Sequence, residues 1–217
     1  MKATIASLIF LLLSLAVSSQ TYKYIGIEEG LSNQKIYRIQ KDARGYMWFL
    51  THVGIDRYNG KEIKHYKLKE GDRELDPLLN INWTYLDKTG TLLVTGKQGR
   101  IFRYDSGHDR FVQIYSMYNY WNKDYHAFVR YSYIDQESNV WLCDKSAIHL
   151  FNIESGQKQR ISNRLGNITC IEQINSEHFF IGTDKRIYLV KLENGNLKEL
   201  SCGKLEMMDM HVHELYL

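Results

Sequence analysis

The sequence predicts an all-β protein, a β-propeller of four-stranded antiparallel blades in an incomplete ring. Three observations carry that expectation. A strand-and-turn pattern recurs at intervals of roughly 39 to 48 residues, the spacing of propeller blades. Tight-turn signals such as Asn59-Gly60 separate short runs rich in aromatic and β-branched residues. No alternating helical pattern intervenes, which sets aside leucine-rich and helical solenoids.

The first copy shows the grammar most fully. It reads as a strand at Ile36-Tyr37-Arg38-Ile39-Gln40, a turn at Asp42-Ala43-Arg44-Gly45, and a second strand at Tyr46-Met47-Trp48-Phe49-Leu50. A short loop at Thr51-His52-Val53-Gly54 leads to a third strand at Ile55-Asp56-Arg57-Tyr58. The Asn59-Gly60 turn then starts a fourth strand that ends near Tyr66. Four such strands cannot bury both of their faces alone, so copies must stack. Asp135, Trp141, Asp144, Ile148 and Phe151 repeat the spacing of Asp42, Trp48, Thr51, Ile55 and Tyr58 without a gap. Asp87, Gly90, Leu93, Gly96, Gly99, Ile101 and Tyr104 form a copy with one inserted residue, and Phe180, Thr183, Ile187 and Val190 a degenerate fourth. Gly60, Gly107, Gly156 and Gly195 mark the last turn of each copy. The blades are expected at 34–66, 79–115, 127–162 and 166–201, within a domain of residues 20–217. A partial fifth is expected at 207–217, its first strand running from Met210 to Leu217.

The pattern assigns a physical task to each position. The acidic residue closes the first hairpin by accepting from backbone two residues on. The Trp, or its apolar substitute, packs against the neighbouring blade. The Gly or Ala before the third strand lets the chain turn in a crowded place.

The first 19 residues read as a secretory signal peptide. Lys2 supplies the positive start, Ile5 to Val17 the short apolar run, and Val17-Ser18-Ser19 the small residues of a cleavage site. The run is too short to span a bilayer comfortably, and no later one is longer. The chain is expected to be exported. Lys and Arg are scattered at a net charge of only +3, which argues against nucleic acid as a partner. The chain has a single Pro and 16 Tyr against 8 Phe, a composition of strands rather than disorder. Cys143, Cys170 and Cys202 are an odd number without a C-x-x-C pair, and are expected as buried thiols on strands.

At the first copy the sequence resembles the two-component regulator propeller repeat. The matching residues are Gly30-Leu31-Ser32-Asn33, Ile36 through Asp42, Gly45, Trp48, Thr51, Gly54-Ile55, Arg57-Tyr58 and Gly60. The later copies depart from the repeat at Ser138, Asp144 and Ala147 in the third and by the missing Trp in the second. The fourth lacks the Asp and most of the glycines. The resemblance implies the periplasmic sensor half of a hybrid two-component system, one that recognises glycan fragments and signals through the membrane to a histidine kinase. It also implies a homodimer at full length, with membrane attachment through later parts, and a seven-bladed ring closed by early and late segments. Tyr22 to Ile27 would be the early closing partner. Kinase motifs are absent from the chain, which reads as a fragment or a truncated gene product.

The loops joining second to third strands and the connections between blades should share one rim, where binding residues on a rigid scaffold concentrate. The first set carries His52, Lys97, Lys145 and Asp184-Lys185; the long connections are 67–79 and 116–125. Tyr118, Tyr120, Trp121 and Tyr125 crowd the second of these, between amides and charges that suit a sugar. The ligand-binding candidates are therefore Tyr118, Tyr120, Trp121, Tyr125, His52, Lys97 and Lys145. Asp42, Asp87 and Asp135 have the spacing of turn residues in separate blades, so no catalytic residue is assigned. His211 and His213 lack a third ligand, so no metal is expected, and no cofactor motif is present. Two alternatives remain open. One is a stand-alone or remnant propeller acting as a carbohydrate- or protein-binding module; the other is a propeller glycoside hydrolase or lyase.

Overall fold

A computed structural model describes residues 22–118 and 128–204, with side chains to residue 201. The predicted signal peptide and fifth-blade strand lie outside the described residues. Four antiparallel four-stranded sheets follow one another along the chain, each in simple sequential order. The first holds β1 (Ile36–Lys41), β2 (Met47–Thr51), β3 (Ile55–Tyr58) and β4 (Ile63–Tyr66). The connection to the next is folded, with a short hairpin of β5 (Lys69–Glu70) and β6 (Arg73–Glu74) and one helical turn, α1 (Pro77–Asn80). The second sheet holds β7 (Trp83–Leu86), β8 (Leu92–Thr95), β9 (Arg100–Asp105) and β10 (Arg110–Ser116). The third holds β11 (Tyr131–Ile134), β12 (Asn139–Cys143), β13 (Ala147–Asn152) and β14 (Lys158–Ser162). The fourth holds β15 (Ile168–Gln173), β16 (His178–Thr183), β17 (Arg186–Glu193) and β18 (Asn196–Lys204). First strands approach one another, β1 against β7 and β11 against β15, as in a propeller whose first strands line the axis.

The hydrophobic cores lie between blades, because period-2 alternation gives each sheet two apolar faces. Trp48, Leu50 and Ile55 of the first blade pack on Ile81, Leu92, Val94, Phe102 and Tyr104 around the second. Trp83, Ile101 and Tyr115 pack on Val140, Leu142 and Phe151. Trp141, Cys143, Ile148 and Leu150 pack on Ile171, Phe179, Ile181 and Val190. Cys143 and Cys170 are buried free thiols, and burial raises the pKa of both.

The acid of the repeat closes its turn and also holds the tryptophan. Asp42 Oδ1 accepts from the backbone N–H of Arg44 (2.9 Å) and Tyr46 (3.0 Å), while Oδ2 accepts from the fully buried indole N–H of Trp48 (2.8 Å). Asp135 repeats this with Asn139 N–H (2.7 Å) and the Trp141 indole (2.8 Å). In the second blade Leu93 replaces the Trp, and Asp87 Oδ2 is instead met by Arg103 at 2.7 Å. In the fourth, Phe180 has no N–H to offer, and Ile174 stands where the Asp would. Ile174 N–H still donates to His178 O, as Asp42 N–H does to Tyr46 O. The turn is closed one residue later, by Asn175 Oδ1 accepting from Glu177 and His178 N–H. The acid is thus retained where a donor faces it and lost where none does.

The Gly-Leu-Ser lead-in caps the free face of the first blade. Gly30 is left-handed at φ 104°, Leu31 is buried, and Ser32 donates through N–H (2.7 Å) and Oγ (2.8 Å) to the fully buried Asp56. Tyr22 to Ile27, expected as a ring-closing strand, forms no strand. Tyr22 and Tyr24 are exposed, since no described segment offers this stretch a ladder.

Between the first two blades, Arg57 lies within 6 Å of the rings of Tyr46, Trp48, Tyr66 and Tyr104 and pairs with Asp109 at 2.8 Å. Asp109 also accepts from Tyr66, Tyr104 and Lys64. It takes the left-handed conformation (φ 49°) in the turn where the sequence placed Gly107. Partial burial pulls the Asp109 pKa up, but Lys64, Tyr104, Tyr66 and Arg57 together outweigh it and hold the carboxyl below the usual range.

Two outcomes follow for stability. Asp135→Ala removes three acceptor contacts and leaves a buried indole N–H unpaired, and should cost about 2–3 kcal/mol in denaturant unfolding. Adding Trp141→Phe should recover part of that loss, because the orphaned donor goes with the indole. For Asp109 the folded pKa is depressed, so its contribution is present above about pH 4 and is lost as pH falls further. The melting-temperature gap between the native chain and Asp109→Asn should be open at pH 7 and narrow progressively as pH falls below about 4.

A cationic rim at the ends of the first strands

The rim begins with the loops between second and third strands, and three of the four are built by a short polar cap. Thr51 Oγ1 donates to Gly54 O (3.1 Å) and accepts from Val53 N–H; Thr183 does the same with Arg186 O and the N–H of Lys185 and Arg186. In the third blade Asp144 takes this place, accepting from the N–H of Ser146 (2.6 Å) and Ala147 (2.7 Å). In the second blade Gly96 stands at this position, where a side chain would strike the backbone of Asn80. The loops are then tied to the connections between blades by main-chain bonds: His52 N–H to Lys35 O, Gln98 N–H to Leu79 O, Val129 N–H to Lys97 O, Asn163 N–H to Ser146 O, and Asp184 N–H to Asn167 O. Both kinds of loop therefore share one rim.

The candidates read from the sequence fall at separate points along it. His52 Nδ1 lies 2.7 Å from the Tyr37 hydroxyl. Lys97 sits over the half-exposed ring of Phe128, 5.6 Å from its centre. Tyr118 is partly buried over the guanidinium of Arg100, which is itself buried and bonded to Gln98 and Glu70. Lys145 is exposed at the third blade. Tyr120, Trp121 and Tyr125 lie outside the described residues.

Three clefts run along this rim. One of about 400 Å³ lies between Tyr37, Arg38, Leu78, Asn82 and Lys97. A second of about 500 Å³ shares Arg38 and Lys97 and continues past Trp83, Phe128, Arg130 and Tyr131 to Asn167. A third of about 590 Å³ shares Arg130 and Asn167 and is bordered by Lys145, Arg164, Asp184, Lys185 and Tyr188. Lys97 and Lys145 thus border adjoining clefts that share Arg130 and Asn167, to which His52 is connected only through Tyr37. Tyr118 borders none of the three. Sequence reasoning missed Arg38, Phe128, Arg130, Arg164 and Asn167. Arg38 was hidden because it sits within a strand; its signal was the first strand's place at the axis, where alternate side chains reach the groove. Among the described residues no group of three His, Cys, Asp or Glu side chains is arranged to hold a metal ion, and no helix is long and apolar enough to cross a membrane.

Comparison with known proteins bears on the fold and the repeat. Residues 30–52 match the family model described as two component regulator propeller. Comparison of the sequence with curated proteins returns no match. Among solved structures, the chain is similar to the extracellular domain of the hybrid two component system BT3049 from B. thetaiotaomicron, with 17% identity and a TM-score of 0.62. The likeness covers 82% of this chain and 26% of that one. It is also similar to PorZ, a surface component of the type-IX secretion system of Porphyromonas gingivalis, with 14% identity, a TM-score of 0.56, and coverage of 82% and 24%. The chain spans about a quarter of the length of these structures, and likeness at such identities speaks for the fold. The Asp-turn, the buried Trp48 and the Gly-Leu-Ser cap are the residues through which that fold is specified, and residues 30–52, in the first blade, are similar to the two component regulator propeller family.

Proposed function

We propose that this chain is the periplasmic ligand-sensing propeller segment of a hybrid two-component regulator, and that it recognises a glycan and signals to a histidine kinase carried elsewhere. The observation that carries the reading is the match of residues 30–52 to the regulator propeller repeat. The rim supports it. A groove lined by a half-exposed aromatic ring, side-chain amides and charged groups suits sugar rings and their hydroxyls. The loops that form the groove are held by main-chain bonds to one another, which favours a preformed site.

The carboxylates argue against hydrolysis by this segment. A glycosidase needs two of them about 5 to 9.5 Å apart across the bond. Asp42 and Asp135 are committed to turns and indoles, and Asp184 is the one carboxylate lining the three clefts among the described residues.

The test is a panel of oligosaccharides offered to the full chain, read both by thermal shift and by product release. A ligand present at about 100 times its Kd should add about 2.7 kcal/mol to folding stability. A shift without turnover is the expected result; turnover of any member would replace the sensor with an enzyme.

A further inference from the structure

We infer that the groove takes an acidic oligosaccharide, one bearing carboxylate or sulfate groups. This inference rests on the sensing role proposed above and narrows its ligand.

The first observation is charge. Arg38, Lys97, Arg130, Lys145, Arg164 and Lys185 line the three connected clefts, with Asp184 as the one carboxylate among the described lining residues. The whole chain has a net charge of only +3, so the fold gathers on one rim a positive charge that the sequence scatters. None of these six cations forms an ion pair among the described residues, whereas Lys64, Lys67, Arg73, Lys88 and Lys191 elsewhere each do. A cleft lined by one sign of charge concentrates counter-charged ligands and speeds their capture. Arginines add a planar fork that fits carboxylate and sulfate oxygens.

The second observation separates an acidic sugar from a bare anion. Asn167 Oδ1 is buried with no hydrogen-bond partner in the structure, and its residue borders both larger clefts. A buried carbonyl oxygen without a donor is costly, and a small oxyanion has no proton to give it. A sugar hydroxyl has. Phe128, half-exposed beneath Lys97, offers the flat apolar face that a pyranose ring covers.

The test uses pairs that differ in charge alone. Isothermal titration of the full chain would compare oligogalacturonate with its methyl ester, and a sulfated dextran oligomer with the unsulfated one. A single-stranded oligonucleotide of equal charge completes the set. At least one anionic oligosaccharide should bind, its neutral counterpart about tenfold more weakly or not at all, with affinity falling as salt rises. Arg38→Gln with Lys97→Gln should weaken binding by about tenfold or more. Lys61→Gln, which removes a charge from the opposite edge, should not. Asn167→Leu should weaken the acidic sugar and leave weak oligonucleotide binding unchanged. Equal binding of charged and neutral partners, unmoved by the rim variants, would overturn the acidic ligand and leave the sensor standing. Equal loss with Lys61→Gln, or tighter binding of the oligonucleotide, would also overturn it. Failure of every oligosaccharide to bind a chain shown by circular dichroism to be folded would remove both readings.

Discussion

The bond between a turn carboxylate and a buried indole is the constraint on which the blades depend. Asp42 and Trp48 are six residues apart, on opposite sides of the first hairpin turn, and the 2.8 Å contact ties them. One oxygen fixes the turn, so the second strand leaves in register with the first. The other satisfies an indole N–H that is fully buried, which allows a large ring to be placed between blades without an orphaned donor. The register then sets Trp48 opposite Arg57, and Arg57 carries the contact outward to Tyr104 and Asp109 of the second blade. A local turn and a long-range interface are therefore parts of one network. The second and fourth blades show its logic by exception. Arg103, opposite Leu93, takes over the free oxygen of Asp87, and Phe180 lets Ile174 replace the acid altogether.

That network also explains why the rim is available for binding. The turns that consume the acids lie at one edge of each sheet, between first and second strands. The loops between second and third strands lie at the other edge, capped by Thr51, Asp144 and Thr183. Those caps spend small polar side chains on the backbone, and Lys145 and Lys185 stand beside two of them, as Lys97 does beside Gly96 in the second blade. Asp42, Asp87 and Asp135 sit at the edge of the first hairpin turns, and Lys97, Lys145 and Lys185 at the other. The separation is a consequence of how each blade is closed, and it gives the protein a field although its net charge is small.

The fold was legible in the sequence because its anchors are local. Asp42, Trp48 and the Asn59-Gly60 turn state their roles within a few residues, and the repeat at Asp135 and Trp141 restates them. The fourth blade was legible only in outline, since Asn175 closes its turn one position away from the expected acid. Asp109 was illegible for a similar reason. Its turn has a glycine at 107, yet the left-handed residue is the aspartate whose carboxylate joins two blades. Of the residues that line the clefts, Lys97 and Lys145, on loops between second and third strands, were among the sequence candidates; Arg38, within β1, and Arg130, Arg164 and Asn167, in connections between blades, were not. Arg38 and Arg130 are 92 positions apart in the chain and meet only when the first strands gather about the axis. No local pattern marks such a pair.

A groove of this construction discriminates by placement more than by depth. Its cations come from different blades, so a ligand that touches Arg38, Lys97 and Arg130 together bridges blade one to blade three. Under the function proposed above, binding of that kind would bear on the angles between blades, because its contacts belong to separate sheets whose cores lie between them. The cores themselves are closely filled, with Trp48, Phe102 and Trp141 fully buried, and packed interfaces resist continuous deformation. A bridging ligand would therefore favour one arrangement of these packed interfaces over another. A sensor requires a conformational difference that a ligand can favour through contacts made in one state and not in the other. In the proposed sensor the cationic rim would supply those contacts, and the interfaces between blades are where such a difference would be expressed.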